Sequence, residues 1–81
     1  METRVAVISI IVTETEKVEE LNELLHEHSK NIIGRMGIPY KEKGISIISI
    51  AVDAPMDEIN SLSGALGRID GVNAKVTYAK V

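Results

Sequence analysis

Two stretches of the chain carry apolar residues at nearly every position. They are Arg4–Val12 (RVAVISIIV) and Gly44–Val52 (GISIISIAV), and both are rich in β-branched side chains. Successive side chains of a strand point to opposite faces, so each stretch would present apolar residues on both faces. A strand with one wet face would instead alternate apolar and polar residues. The pattern therefore predicts two central strands that are covered on both sides.

The stretch after the first strand has the spacing of an amphipathic helix. Thr13 and Glu16 match a capping box, in which Thr13 is the N-cap and Glu16 reaches back to the N-cap backbone. Acidic residues in the first turns suit the positive end of the helix dipole. Apolar residues then recur every three or four positions. The predicted buried stripe consists of Val18, Leu21, Leu25, His28 and Ile32, and it is widened by Leu24.

A second helix is predicted after the second central strand. It starts within Asp53–Glu58, because Pro55 is favoured in a first turn and the acidic residues favour the dipole. Asp70 and Gly71 are expected to end it. Its predicted buried stripe consists of Ile59, Leu62, Leu66 and Ile69.

Two further stretches have the features of edge strands. Ile33–Tyr40 contains Pro39, which cannot donate a hydrogen bond to a sheet, and a predicted turn at Lys41–Gly44 follows it. Val72–Tyr78 alternates apolar and polar residues, as a strand with one exposed face does.

The resulting order, β-α-β-β-α-β, is that of the ferredoxin-like split βαβ fold. We therefore predict one α+β domain over residues 1–81, with a four-stranded antiparallel sheet and two helices on one face. In that topology the first and third strands are central, which agrees with their apolar patterns. The other sheet face would expose an apolar patch on a monomer. The sequence thus predicts a homo-oligomer, a dimer or a tetramer, that is joined through this open face.

Composition narrows the classes of function. The 81 residues include no cysteine, which excludes disulfides, thiol catalysis and cysteine-ligated metals. The net charge of −3 argues against direct binding of nucleic acid, which requires a basic surface. No apolar run is long enough to cross a membrane, and the start of the chain lacks the pattern of a signal peptide. We therefore expect a cytoplasmic protein that binds neither membranes nor nucleic acid.

A cluster of positive charge surrounds the predicted edge hairpin. Arg35, Lys41 and Lys43 lie there with Tyr40 beside them, and they are candidate contacts for a small anionic ligand or for an acidic patch of a protein partner. An alternative is that Lys41 and Lys43 protect an exposed strand edge from aggregation. That alternative explains Arg35 less well.

The two histidines, His26 and His28, raise the question of a metal site. Residues two apart on a helix leave it about 200° apart, so one subunit would not direct both rings at one ion. We expect His28 to be a core or interface residue and a further contributor to ligand contacts. No catalytic arrangement is recognisable, because the sequence has no Ser-His-Asp set, phosphate-binding glycine loop or pair of carboxylates in an apolar setting. We predict no catalytic activity, no metal and no cofactor.

Two segments carry a resemblance to a known family. Ile33–Ile45 (IGRMGIPYKEKGI) and Leu66–Val72 (LGRIDGV) are its most specific parts, and it extends over essentially the whole chain. The chain resembles the proposed regulators of iron-only hydrogenase systems, which are small ACT-like proteins with a ferredoxin fold. The resemblance implies a sensory or assembly module in the system that matures or regulates the hydrogenase.

The same resemblance extends to the C-terminal domain of nickel-responsive regulators, which assembles as a tetramer. Those domains bind nickel through a His-x-His on the second strand and a nearby cysteine. Here that strand contains Arg35–Tyr40 and the chain has no cysteine, so nickel binding is not implied. Amino-acid-binding ACT domains have an Asp and a Gly in the turn after the first strand. This chain has Thr13–Glu16 there, without a glycine, which departs from that pattern.

Three hypotheses of function follow. The first is a non-enzymatic regulatory module, an oligomer that binds a small ligand or a protein partner through Arg35, Tyr40, Lys41, Lys43 and His28. The second is a purely structural assembly protein without a small ligand. The third, an acylphosphatase-type enzyme of the same fold, fits poorly because the acidic Thr13–Glu16 stretch would repel a phosphate.

Overall fold

The computed structural model describes residues 2–80 and contains four strands and two helices. Short 3-10 turns at Thr15–Lys17, Ser29–Asn31 and Lys41–Lys43 connect them. The elements are β1 (Arg4–Val12), α1 (Val18–Glu27), β2 (Ile32–Tyr40), β3 (Ile45–Ala54), α2 (Met56–Gly67) and β4 (Val72–Tyr78).

The strands form one antiparallel sheet in the order β2-β3-β1-β4. β1 and β3 occupy the two central positions, and β2 and β4 form the edges. This arrangement confirms the predicted ferredoxin-like α+β fold and the predicted place of each strand in the sheet.

The core lies between one face of the sheet and the two helices. Alternate residues of each strand point to this face, and those of the central strands are almost completely buried. Leu21 and Leu25 of α1 and Ile59, Leu62 and Leu66 of α2 pack against them. The buried residues of the central strands are Ala6, Ile8, Ile10 and Val12 of β1 and Ile48, Ile50, Val52 and Ala54 of β3.

The opposite side of the sheet, which we call the open face, is covered by neither helix formed within residues 2–80. Most of its large apolar residues are exposed: Ile11 retains 43% of its accessible surface and Val7 39%, whereas Ile8 and Ile10 of the same strand retain 0% and 1%. The register of the sheet defines the residues of the open face. They are Val5, Val7, Ser9 and Ile11 of β1, Ile45, Ile47, Ser49, Ala51 and Asp53 of β3, Gly34, Met36, Ile38 and Tyr40 of β2, and Asn73, Lys75 and Thr77 of β4.

The start of α1 differs from the prediction. The capping box at Thr13 and Glu16 is absent: a 3-10 turn at Thr15–Lys17 comes first, and α1 begins at Val18 without a side-chain cap. Thr13 instead donates both its backbone N–H and its hydroxyl to the carbonyl oxygen of Gly71, at 2.7 and 3.2 Å. A long-range bond to the turn before β4 has therefore replaced the local cap.

The end of α1 was also predicted wrongly. The helix stops at Glu27 because His28 adopts φ −108° and ψ 15°, outside the helical region. Ile32 fits the spacing of the apolar stripe, but it is the first residue of β2 and pairs with Val52. A bulge at Ile33 then shifts the register before Gly34. Helical spacing alone cannot separate a helix from a short turn and a strand that face the same core.

Proline and glycine bound the second helix. Pro55, predicted within the first turn, is the N-cap residue, and α2 begins at Met56. The helix ends at Gly67, and the chain then turns back through Gly71, whose φ of 79° favours glycine. A Cβ at position 71 would approach Glu14 Cγ to 2.8 Å, so this turn packs closely against the loop after β1.

Candidate functional site

The five residues singled out in the sequence do not share one site in a single copy of the chain. Arg35 pairs with Ile50, a core residue, so Arg35 stands on the helix side of the sheet. Tyr40 pairs with Ile45 and stands on the open face, with 41% of its surface exposed. The two positions differ by an odd number of residues along one strand, which places them on opposite faces.

Arg35 reaches from the edge strand to the first helix. Its guanidinium donates a hydrogen bond of 3.0 Å to Asn22 Oδ1 on α1. This partner is a neutral amide, so the bond orients the guanidinium without neutralising its charge. An arginine has five N–H donors in a planar fork, so further donors remain for an oxyanion such as a carboxylate or a phosphate.

A cleft of about 270 Å³ lies beside this hydrogen bond, between α1 and β2. Leu25 and Ile32 provide its apolar surface, and the other lining residues are polar or charged. Its lining residues are Asn22, Leu25, His26, Ser29, Ile32 and Arg35. Sequence reasoning missed Asn22 and Ser29, because no residue pattern marks which polar side chains of a helix will face an arginine on a distant strand.

The two histidines lie differently with respect to this cleft. His26 lines the cleft beside Arg35, whereas His28 does not. The Nδ1 atom of His28 lies 3.0 Å from the carbonyl oxygen of Leu24, and a carbonyl can only accept, so Nδ1 carries a proton and donates it. His28 is partly buried and caps the end of its own helix. In one copy of the chain it therefore has a structural contact rather than a place beside Arg35.

The two lysines lie on the 3-10 turn that joins β2 to β3. Lys41 and Lys43 are exposed, and the turn ends at Gly44, which adopts a left-handed conformation with φ 66°. They border the end of the open face where Tyr40 pairs with Ile45. Their ammonium groups are free to move in solvent, which suits contact with an acidic protein surface better than a fixed pocket for a small ligand.

Among residues 2–80, no group of three or more His, Cys, Asp or Glu side chains is placed to hold a metal ion. Neither α1 nor α2 has the length and apolar character needed to span a bilayer.

Comparison with known proteins agrees with this fold. Residues 4–76 match the TM1266-like family, which is described as "Iron-only hydrogenase system regulator, putative". The solved structure of the uncharacterised protein TM1266 from Thermotoga maritima is 39% identical in sequence, with a TM-score of 0.94 over 98% of this chain and 100% of that chain. No curated protein matches. The family match confirms the resemblance to the proposed regulators of iron-only hydrogenase systems, and the chain belongs to the TM1266-like family.

Proposed function

We propose that this protein is a cytoplasmic, non-enzymatic regulatory module of an iron-only hydrogenase system, and that it works as a homo-oligomer joined through the open face of its sheet. In this proposal a small ligand or a protein partner binds at the assembled module. Membership of the TM1266-like family supports the regulatory role. The open face is the observation that carries the proposal for assembly.

The open face is unusual for a surface that stays in contact with water. Val5, Val7, Ile11, Met36 and Ile38 all expose between 39% and 52% of their surface on it. Covering such a patch removes apolar area from water, which stabilises an assembly by roughly 25 cal/mol per Å² buried before the costs of association.

The size of the face suits a pair of copies. Four strands spaced about 4.8 Å apart and seven residues rising about 3.3 Å each give a flat area on the order of 450 Å². Side chains standing on that area raise its accessible surface further. Specific interfaces begin at roughly 600 Å² per partner, so this face reaches the size of a stable contact only with the added surface of its side chains.

The expected ligand contacts divide into two groups. Arg35 lies in the cleft between α1 and β2, and its guanidinium is suited to an oxyanion. Tyr40, Lys41 and Lys43 lie at the end of the open face and would meet a second copy or an acidic partner. His28 contributes by holding the end of α1, the helix that forms one wall of the cleft.

Sedimentation velocity at micromolar concentration tests the proposal for assembly. The wild-type protein should sediment as a dimer or tetramer, and Ile11→Lys should sediment as a folded monomer because it places a charge in the middle of the contact. Met56→Lys is the matched control, since Met56 is 41% exposed, close to the 43% of Ile11, but begins α2 away from the open face. A wild-type monomer, or equal dissociation in both variants, would contradict the proposal.

A structural assembly protein without a small ligand is the second candidate. It is favoured by the existing bond between Arg35 and Asn22, which gives the guanidinium a role within the fold. A thermal-shift screen of amino acids, nucleotides, anions and divalent metals separates the two candidates. A ligand at roughly 100 times its dissociation constant should stabilise the protein by about 2.7 kcal/mol, and the effect of an anion should be lost in Arg35→Gln. No response across the panel would favour the assembly protein.

A further inference from the structure

The open face is not uniformly apolar, because a polar row crosses its middle. Ser9 of β1 lies directly opposite Ser49 of β3, so the two hydroxyls are neighbours on the two central strands. Met36 pairs with Ser49 at one end, and Lys75 pairs with Ser9 at the other. We call these four residues the serine row.

The rows on either side of the serine row differ in size. One, the isoleucine row, has large side chains at its centre, and the other, the small row, has smaller ones. The isoleucine row is Ile38, Ile47, Ile11 and Asn73, and the small row is Gly34, Ala51, Val7 and Thr77, each read from β2 to β4.

Symmetry restricts how a second copy can cover this pattern. A contact between two identical faces is related by a twofold axis, so each surface patch must complement itself. A serine row set against an isoleucine row would bury hydroxyls without hydrogen-bond partners, which is unfavourable. Set against itself, the row brings four hydroxyls from Ser9 and Ser49 of the two copies into one polar layer.

The side-chain sizes in the isoleucine row and the small row then determine which direction of the twofold axis is favoured. An axis parallel to the strands would place each isoleucine row on the other isoleucine row, and each small row on the other small row. An axis along the serine row places each isoleucine row on the partner's small row. Facing large and small side chains fill the space between two layers without gaps or overlap. The second direction is therefore the better packed.

We propose that two copies pack open face to open face about a twofold axis that lies along the serine row, which sets the register of the pair. This inference rests on the proposed assembly through the open face, and it adds the orientation. Ser9 of one copy faces the partner's Ser9, and Ser49 faces the partner's Ser49. Met36 meets the partner's Met36 at one rim, and Lys75 meets the partner's Lys75 at the other.

The short serine side chains leave room for water in this layer. Packed sheets lie roughly 10 Å apart, so serine hydroxyls from the two copies do not span the space by themselves. Ordered waters that bridge them would satisfy the buried hydroxyls and would link the copies only in the matching register. The apolar rows on both sides supply the attraction, and the hydroxyl layer supplies the specificity.

Cysteine cross-linking distinguishes the two orientations, and the chain has no native cysteine to interfere. Met36→Cys alone and Lys75→Cys alone should each form covalent dimers with a short bismaleimide. An equimolar mixture of the two variants should form few mixed cross-links. Ser29→Cys is the control, because Ser29 is exposed on the turn after α1 and lies on the helix side. It should remain uncross-linked at the same protein concentration.

The outcomes separate this inference from the proposed function. Predominantly mixed cross-links between the Met36→Cys and Lys75→Cys chains would show the axis parallel to the strands and overturn the orientation alone. The absence of any cross-link in a protein that sediments as a dimer would also overturn it alone. If the wild-type protein sediments as a monomer, both the inference and the proposed assembly are wrong.

The role of the hydroxyls is tested by removing them. Ser9→Ala with Ser49→Ala, combined with the same cysteine variants, removes the polar row while keeping its small size. The pair should still associate, because the apolar rows remain, but the yield of cross-links within each single cysteine variant should fall several-fold as other registers become populated. An unchanged cross-linking pattern would show that the serine row does not set the register.

Discussion

The two faces of the sheet are built from the same strands and similar residues, yet only one of them is used by the fold of a single copy. Ile8 and Ile11 lie three positions apart on β1, and they retain 0% and 43% of their accessible surface. The difference arises because both helices cross to the same side of the sheet. An aliphatic residue on this sheet therefore indicates that its surface is covered. It does not indicate whether a helix of the same chain or another molecule covers it.

The positions of the polar residues distinguish the two faces of the sheet more clearly than the positions of the apolar residues do. The helix-covered side of β1 and β3 has Arg4 and Ser46 at its margins and is otherwise apolar, whereas the open face has Ser9 and Ser49 at its centre. A core that is filled by side chains of its own chain needs no polar layer. A contact between identical copies benefits from one, because hydroxyls that pair in one register disfavour all others.

The largest expected effect tests this contrast directly. Ile8→Ala should lower the free energy of unfolding of a single copy by about 3 kcal/mol, because it leaves a cavity in the core. Ile11→Ala should lower it by less than about 1 kcal/mol in the same state, since Ile11 is already 43% exposed. Urea titrations at a protein concentration low enough to dissociate any assembly measure both values.

Raising the protein concentration should change the stability loss of Ile11→Ala but not that of Ile8→Ala. Where copies associate, Ile11→Ala should lose additional stability relative to the wild type, because association stabilises only the folded chain. The loss for Ile8→Ala should remain nearly constant. Equal losses for the two variants at every concentration would mean that the two faces do not differ in this way.

The turns at the two glycines give the next largest effect. Gly71→Ala should cost about 2 kcal/mol, because φ is 79° and the new Cβ would lie 2.8 Å from Glu14 Cγ. Gly44→Ala should cost about 1 kcal/mol, since φ is 66° but no atom lies within 4 Å of the new Cβ. Thermal unfolding of the two variants measures the difference, and equal losses would show that Glu14 moves aside without cost.

A smaller effect is expected at the edge strand β4, on the helix side. The Tyr78 hydroxyl donates a 2.6 Å hydrogen bond to Asn60 Oδ1 of α2. Tyr78→Phe should lower the free energy of unfolding by about 0.5 kcal/mol, because the bond is exposed and water replaces part of it. The ring and its contact with the Arg4 guanidinium, 4.6 Å from the ring centroid, are retained. Asn60→Ala should cost a similar amount, and the double variant should show that the two losses are not additive.

The smallest effect on stability is expected at Arg35. Arg35→Gln loses an exposed hydrogen bond to Asn22 and should change the free energy of unfolding by less than about 0.5 kcal/mol. It should leave sedimentation unchanged, because Arg35 lies on the helix side. Tyr40→Ser, on the open face of the same strand, should weaken association by about 1 kcal/mol. If Arg35→Gln dissociated the assembly instead, the assignment of faces to functions would be wrong.

The order of the strands in the sheet could be predicted from the sequence. The doubly apolar patterns of β1 and β3 were sufficient to place them centrally, and Pro39 was sufficient to place β2 at an edge. The ends of α1 could not be predicted in the same way. Thr13 has two competing partners, a local helix terminus and the distant Gly71 carbonyl, and only the closed sheet brings the second one near.

The candidate site was less accessible to sequence reasoning. The separation of Arg35 and Tyr40 follows from the two-residue period of a strand, and it could have been foreseen once the strand was assigned. The partnership of Arg35 with Asn22 could not, because it depends on how far α1 lies above β2. The serine row also required the register, since Ser9 and Ser49 become neighbours only when β1 and β3 are aligned.

Whether a second copy covers the open face is tested most directly by NMR. The measurement is the exposure of methyl groups on this face to a soluble paramagnetic gadolinium chelate over a range of protein concentrations. At high concentration the methyl groups of Val7 and Ile11 should be protected from the probe almost as well as those of Ile10 in the core. On dilution they should become accessible while Ile10 stays protected. Methyl groups of Val7 and Ile11 that are fully accessible at every concentration would contradict the claim that a second copy covers this face.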